Sequence, residues 1–180
     1  CDIGEHLLFA THCLVVDPPA EIALMNGLAS MGSGLGAALG VQLADRDRSV
    51  VAICGDGVFA MMSGVIATAA AYELPLVVLV LNDQRFGMVE LGHKALYVRT
   101  PTFSTGPLSV ASLARALGAD GHVVRHPGEI AAMDLAAQRG PVVLDVHIDR
   151  SVRMPKNARF DELKQNVAQP PLPRESQAAL

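Results

Sequence analysis

Residues 49–57 read Ser-Val-Val-Ala-Ile-Cys-Gly-Asp-Gly, and residues 76–83 read Leu-Val-Val-Leu-Val-Leu-Asn-Asp. Each is an apolar run of strand length that ends abruptly in polar residues. A strand with one solvated face alternates apolar and polar side chains. These runs do not alternate, so both of their faces are predicted to be buried, as in a parallel sheet covered by helices. Between them, Phe59 to Tyr72 is an Ala-rich stretch that reads as one helix. A right-handed crossover makes the two strands neighbours or near neighbours and brings their carboxyl ends to the same edge. Ligands of open parallel sheets bind beyond that edge.

Outward from this unit the alternation continues. Glu5 to Val15 reads as a helix, and Glu21 to Met25 as a short strand ending at Asn26-Gly27. Gly34 to Ala44 is a small-residue helix stopped by the charged Asp45 to Arg48. After Asn82 come a turn, a short helix from Gly87 and a loop from Pro101 to Pro107. Val110 to Leu117 and Pro127 to Gln138 are predicted helices; Gly121 to Val124 and Pro141 to Ile148 are predicted strands. The fold class is therefore α/β, a doubly wound and mainly parallel sheet with helices on both faces. Beyond Arg153 the chain turns polar and Pro-rich, so we expect one domain over 1–153 and a surface tail over 154–180. The first residue is Cys, and Cys-Asp-Ile-Gly reads like the end of a strand; the natural chain is expected to extend upstream.

Composition narrows the function classes. Hydrophobic residues make up 51% and aromatics only 4%, with no Trp, which suits closely packed helices on a buried sheet. The net charge of −4 and the lack of a basic run argue against a nucleic-acid surface. No apolar run approaches the roughly 18 residues of a membrane span, and neither a span nor a signal peptide is expected. Cys1, Cys13 and Cys54 are odd in number and lack metal-type spacing. They suggest a reducing, cytoplasmic setting, with Cys54 a small core residue.

Asp56 and Asp83 carry the chemistry. Either motif alone, Gly-Asp-Gly or Asn-Asp, is ordinary turn material. Together, each closing a buried strand, they place two carboxylates at adjacent strand ends beside exposed backbone N–H groups. That pattern suits a hard cation such as Mg²⁺ bridging to a diphosphate.

Gly55-Asp56-Gly57, followed by a helix, a strand and Asn82-Asp83, resembles the thiamine diphosphate (ThDP) binding motif of the acetolactate synthase and pyruvate decarboxylase superfamily. Phe86-Gly87-Met88-Val89 is similar to the Gly-Met-Val that follows it in acetolactate synthases. Asp2-Ile3-Gly4-Glu5-His6 resembles their Asp-Val-Gly-Gln-His segment. Asn26 to Gly40 resembles their Gly-Gly-Leu-Gly-x-Met-Gly-x-Gly-Leu-Pro-Ala-Ala-Ile-Gly. The four motifs occur in the same order and cover residues 2 to 150.

The resemblance implies roles. Asp56 and Asp83 would be Mg²⁺ side-chain ligands, with the carbonyl of Arg85 the backbone ligand. Gly57 and Val58, with Gly4, Glu5 and His6, would approach the diphosphate. The Ala29 carbonyl would accept from the 4′-amino group of the cofactor, and Met31 would prop its bent form. Ser30, Gly55, Phe86 and Gly87 fall within the same cofactor-binding motifs, and Met88 and Val89 would line the cofactor and substrate side. The implied reaction is decarboxylation or carboligation of a 2-oxo acid, with ThDP as the electron sink. It also implies an activating Glu on a separate pyrimidine-binding domain, in a longer chain or in a partner subunit of a homo- or hetero-oligomer.

Three positions depart from the pattern. Val58 stands where Ser or Ala is usual, and Glu5 where Gln is usual. Gly92 lies where branched-chain acetolactate synthases carry a Trp that shapes substrate choice, which leaves room for a different acceptor; His93 could face substrate or solvent. Two other readings stay open on the residues. Gly32-Ser-Gly34-Leu-Gly-Ala37 fits the G-x-G-x-x-A variant of a nicotinamide-binding Rossmann domain, with Asp56 ending the next strand. A non-catalytic subunit retaining the fold is the other, although paired carboxylates argue against a decayed site.

Overall fold

The computed structural model describes residues 1–97, 101–154 and 165. The order of elements is α1 (Glu5–Cys13), α2 (Ser33–Ala44), β1 (Val51–Gly55), α3 (Asp56–Met62), α4 (Gly64–Ala71), β2 (Val77–Asn82) and α5 (Gly87–Leu96). There follow α6 (Val110–Ala116), β3 (Asp120–Val124), α7 (Pro127–Ala131), a 3-10 turn (Leu135–Ala137) and β4 (Val142–His147). The expected tail over 154–180 lies, apart from residues 154 and 165, outside the described residues. Among those described, no helix is long and apolar enough to cross a membrane.

The four strands form one sheet in the order β1-β2-β4-β3, and every pairing is parallel. β1 and β2 are direct neighbours, with Gly55 opposite Leu81. Ala52, Cys54, Val78, Val80 and Val143 point to one side, where Leu35, Phe59, Ile66 and Val110 pack on them without solvent contact. Burial of each of these larger side chains contributes about 2 kcal/mol. Val77, Val142 and Leu144 point to the other side, against Ile130, Met133 and Leu135. Helix α1 lies on that side too, its His6 ring against Gly55. The result is an α/β parallel sheet between helices. The cover is thinnest at the start of the edge strand, where Val51 is 57% exposed.

Three predicted elements differ. Glu21 to Met25 forms no strand. The backbone beside β1 is reached instead by the chain start, where the Asp2 amide donates to the Ile53 carbonyl at 2.8 Å. The stretch at 21–25 is tied to that start by the Cys1 amino group, which donates to the Ala23 carbonyl. The Ala-rich helix is two helices broken at Ser63, and it begins at Asp56, so the Gly-Asp-Gly motif is itself a helix start. Pro127 to Gln138 is one short helix and a 3-10 turn, not a single helix.

Candidate functional site

Beyond the carboxyl ends of β1 and β2 lies a cavity of about 790 Å³. Four of the places in the sequence that line it carry residues singled out above, and a fifth is the stretch from Ile148 to Val152. The start of α1 gives Gly4, Glu5 and His6; the turn before α2 gives Ala29 and Met31. The end of β1 gives Gly55, Asp56, Gly57 and Val58. The turn after β2 gives Asp83, Arg85, Phe86, Gly87, Met88 and Val89. Ser30 is not on the wall: its carbonyl accepts from the Ser33 amide and hydroxyl, opening the turn into α2. Gly92 and His93 also stand off the wall. The His93 ring stacks with Tyr97 and Phe103, at centroid distances of 4.6 and 5.6 Å.

Asp56 is buried at the junction of β1 and α3, where its Oδ2 accepts from the Thr105 hydroxyl at 2.5 Å. Burial pushes its carboxyl above the ordinary value. Thr105 pulls it back, and the negative charge of Asp83 adds to the rise. Asp83 follows β2, and its Oδ2 accepts from Nε of Arg85 at 2.6 Å. The Arg85 guanidinium also reaches Glu90 at 3.3 Å and the Arg150 carbonyl at 2.8 Å.

The backbone of Arg85 pairs with Ser104 in an antiparallel bridge. The hydrogen bonds there use the carbonyls of Gln84 and Phe103, so among the described residues the Arg85 carbonyl stays free of backbone donors. The donor set is thus two carboxylates and a carbonyl. Among the described residues, no group of three or more His, Cys, Asp or Glu side chains is placed to hold a metal.

Glu5 and His6 open α1. Burial raises the Glu5 carboxyl; Arg153 and Arg85 act against the rise, Asp83 and Glu90 with it. His6 is buried and its pKa is lowered by that burial, with the Asp2 carbonyl opposing. Its Nε2 lies 3.1 Å from that carbonyl. A carbonyl only accepts, so Nε2 carries the proton and Nδ1 is left as an acceptor beside Gly4 and Gly55. A Cβ on Gly4 would come within 2.4 Å of the His6 ring, so this corner admits only glycine.

Two helix starts away from the cavity are filled by carboxylates of the chain. Asp2, 1% exposed, accepts through Oδ1 from the Gly32 amide at 3.0 Å. Its Oδ2 accepts from the Gly34 and Leu35 amides at 2.8 and 3.1 Å. Asp145, equally buried, accepts from the Ala111 amide at 3.2 Å and from the Asn82 side chain at 2.8 Å. The helices that begin on the cavity, α1, α3 and α5, have no capping side chain. Helix starts of this kind favour an incoming anion; at α3 the amides of Asp56 and Gly57 already act on the Asp56 carboxylate. This disfavours the dinucleotide reading, which needs the amides at Gly32 to Leu35 for a pyrophosphate; Asp2 already holds them. That reading also needs a strand before this helix, and none is there.

Gly57 has a different immediate reason for being glycine. The Phe86 ring lies where its side chain would be, 2.6 Å from an added Cβ. Ala29 takes a left-handed conformation, φ 57, as does Gly32 at φ 96, so Met31 sits in a turn few sequences adopt. Sequence reading missed Asp2 as an organising residue, Thr105, and the cavity wall from Ile148 to Val152. The available signal for that wall was that Pro141 to Ile148, read as a parallel strand, must end at the same sheet edge as the two acidic motifs. Nothing local marked Thr105.

Comparison with known proteins agrees with this geometry. Residues 2–146 match the family model "Thiamine pyrophosphate enzyme, C-terminal TPP binding domain". Acetolactate synthase of Bacillus subtilis (strain 168) is 31% identical over 155 residues, 84% of this chain and 27% of that protein. Acetolactate synthase isozyme 3 large subunit of Escherichia coli (strain K12) is 33% identical over 83% of this chain and 27% of that protein. Among solved structures, the Rhodococcus jostii RHA1 thiamine diphosphate-dependent 4-hydroxybenzoylformate decarboxylase superposes with a TM-score of 0.61 at 28% identity. That match covers 67% of this chain and 24% of the decarboxylase. The chain spans about a quarter of the length of these relatives. By fold, motif order and sequence, it belongs to the thiamine pyrophosphate enzyme family, as the C-terminal TPP-binding domain.

Proposed function

We propose that this domain, residues 1–153, holds ThDP by its diphosphate through Mg²⁺ and forms half of the active site of a 2-oxo acid decarboxylase or carboligase. The observation that carries the reading is the pair Asp56 and Asp83. They follow neighbouring strands of known register, open into one cavity and interact electrostatically. The Oδ2 atoms of both are engaged, by Thr105 and Arg85 respectively, and each carboxylate has a second oxygen to offer a cation. Mg²⁺ commonly takes one or two carboxylates and leaves its other positions to phosphate and water. The free Arg85 carbonyl completes the protein's share.

Around this anchor, the uncapped starts of α1, α3 and α5 favour a diphosphate. Met31, half-buried against the core, is soft and unbranched enough to support a bent two-ring cofactor. The Ala29 carbonyl is the proposed acceptor for the 4′-amino group. Bound in this way, ThDP supplies the electron sink for cleaving the carboxylate from a 2-oxo acid. The residues of this chain bind and orient it, and none of them is assigned as the ring-activating acid. We assign that role to a Glu on a pyrimidine-binding domain, in a longer chain or a partner, packed partly against α3 and α4. Met61 on α3 and Tyr72, the residue just past α4, stay exposed. The three free cysteines fit a reducing, cytoplasmic setting.

The test is calorimetric titration with ThDP in Mg²⁺ and in EDTA, for the unsubstituted protein and for Asp56→Ala. Saturable binding is expected only for the unsubstituted protein in Mg²⁺. Undiminished affinity in EDTA would sink the metal assignment, and saturable NADH binding would return the dinucleotide reading.

A further inference from the structure

We infer that Asp2 is the positioning residue for the cofactor-facing turn at Ala29 to Met31, acting as a built-in anion at the start of α2. The inference rests on the roles given to Ala29 and Met31 under the proposed function. Asp2 contacts neither the cavity nor the metal pair; it acts through the turn.

Every polar group of Asp2 is committed. Its amide donates to the Ile53 carbonyl on β1, and its carbonyl takes the His6 Nε2 proton from α1. Its carboxylate takes three amides at the start of α2, from Gly32, Gly34 and Leu35, besides that of its neighbour Ile3. One residue thus ties the edge strand, α1 and α2 together. The contact is close enough to dictate sequence: a Cβ on Gly34 would stand 2.6 Å from the Asp2 Cα, which is backbone and cannot yield.

The turn being held is not one the chain adopts by preference. Ala29 and Gly32 both have left-handed backbone angles, and Met31 lies between them. An alanine in that region is strained, and such strain persists only where surrounding contacts fix it. The charge-assisted bonds from Gly32, Gly34 and Leu35 are the strongest contacts that fix it. Released from Asp2, α2 would still pack through Leu35 and the Ser33 bonds to the Ser30 carbonyl would remain, but the three amides at the exit of the turn would lose the anion that orients the Ala29 carbonyl and Met31. The diphosphate anchors, Asp56 at the start of α3 and Asp83 just after β2, are not among the partners of the Asp2 carboxylate.

Two variants separate positioning from folding. In Asp2→Asn the side chain keeps one acceptor but turns an N–H toward the Gly34 and Leu35 amides, donor against donors. Asp2→Ala removes the anion and leaves a space that formate fits. Both are made in the protein in its native assembly, and Mg²⁺-dependent affinities for ThDP and for inorganic pyrophosphate are measured by calorimetry. The expected result for Asp2→Asn is a loss of about tenfold or more in ThDP affinity, with pyrophosphate affinity held within about twofold. For Asp2→Ala, added formate should recover ThDP affinity and leave pyrophosphate affinity where it was. Equal losses for both ligands without formate rescue would reduce Asp2 to a folding residue and overturn the inference, as would ThDP affinity unchanged in both variants. Failure of the unsubstituted protein to bind ThDP would overturn the functional reading and this one with it.

Discussion

Nε of Arg85 donates to Oδ2 of Asp83 at 2.6 Å, with the two side chains only 8% and 12% exposed. Where the resembled motif permits a neutral Asn, this chain carries an acid, and a guanidinium two residues on neutralises it. Arg85→Gln should leave Asp83, Glu5 and Glu90 without that shared cation. A lost charge partner at such burial costs about 1–3 kcal/mol, so Tm in EDTA should fall by several degrees. Mg²⁺ plus ThDP should recover more of that fall than they add to the parent. An equal gain in both proteins would show that Arg85 does not offset the carboxylates of the site.

Asp83→Asn should keep the cofactor. The amide oxygen remains a ligand, and one negative charge leaves the neighbourhood of Asp56, whose carboxyl Asp83 helps to raise. Arg85 keeps Glu90 and the Arg150 carbonyl as partners. ThDP affinity is expected to be unchanged at saturating Mg²⁺ and equal or higher when Mg²⁺ is scarce. Complete loss of binding in a calorimetric titration would mean that Asp83 matters through its charge and not as a ligand.

Glu5→Gln addresses pH. The Glu5 carboxyl is held above its ordinary value of about 4.5, first by burial. A raised acid binds its proton more tightly in the folded state. Its stabilising contribution is therefore complete below the unfolded value and disappears as pH rises through the folded one. At neutral pH the parent carries a charged, desolvated Glu5, and Gln removes that penalty. Melts of the cofactor-free protein should show Glu5→Gln more stable at pH 7, with the difference closing toward pH 4. Parallel curves would contradict the desolvation of Glu5.

The fourth prediction concerns catalysis. Residues 1–180 alone, folded by circular dichroism and saturated with ThDP and Mg²⁺, are expected to give no measurable decarboxylation of pyruvate or other 2-oxo acids. Activity should appear only with a pyrimidine-binding domain present. Robust turnover by this chain alone would require an acid of its own, and Glu5 and Glu90 would be the first to substitute.

What could be read in the residues was what is local. Val51–Gly55 and Val77–Asn82 are apolar runs of strand length, and the abrupt change at Gly55-Asp56 and Asn82-Asp83 marks their ends without reference to anything distant. Glu21 to Met25 is equally apolar, yet a strand needs a free partner, and the Asp2 amide takes the Ile53 carbonyl on β1. Thr105 reaches Asp56, and the Arg150 carbonyl reaches Arg85, through contacts between residues far apart in sequence. Composition at positions 105 and 150 holds no trace of those meetings. Asp2 is the clearest case. As part of a motif it was conspicuous, but its bonds to residues 32–35 exist only once β1, α1 and α2 have assembled.

The strand order has a consequence for how the chain reaches this state. β4 is the last strand in sequence, yet it sits inside the sheet, between β2 and β3. Until residues 142–147 are made, β2 lacks one of its partners and β3 lacks the only one it has among the described residues. During synthesis, then, Val77 to Leu81 waits with an unpaired, apolar edge while the following sixty-odd residues emerge, and non-local parallel pairings of this kind form slowly. A chain stopped short of Val142 would lose both inner pairings, along with the Asp145 that caps α6, and would present a sticky two-stranded remnant to the chaperones of the cell.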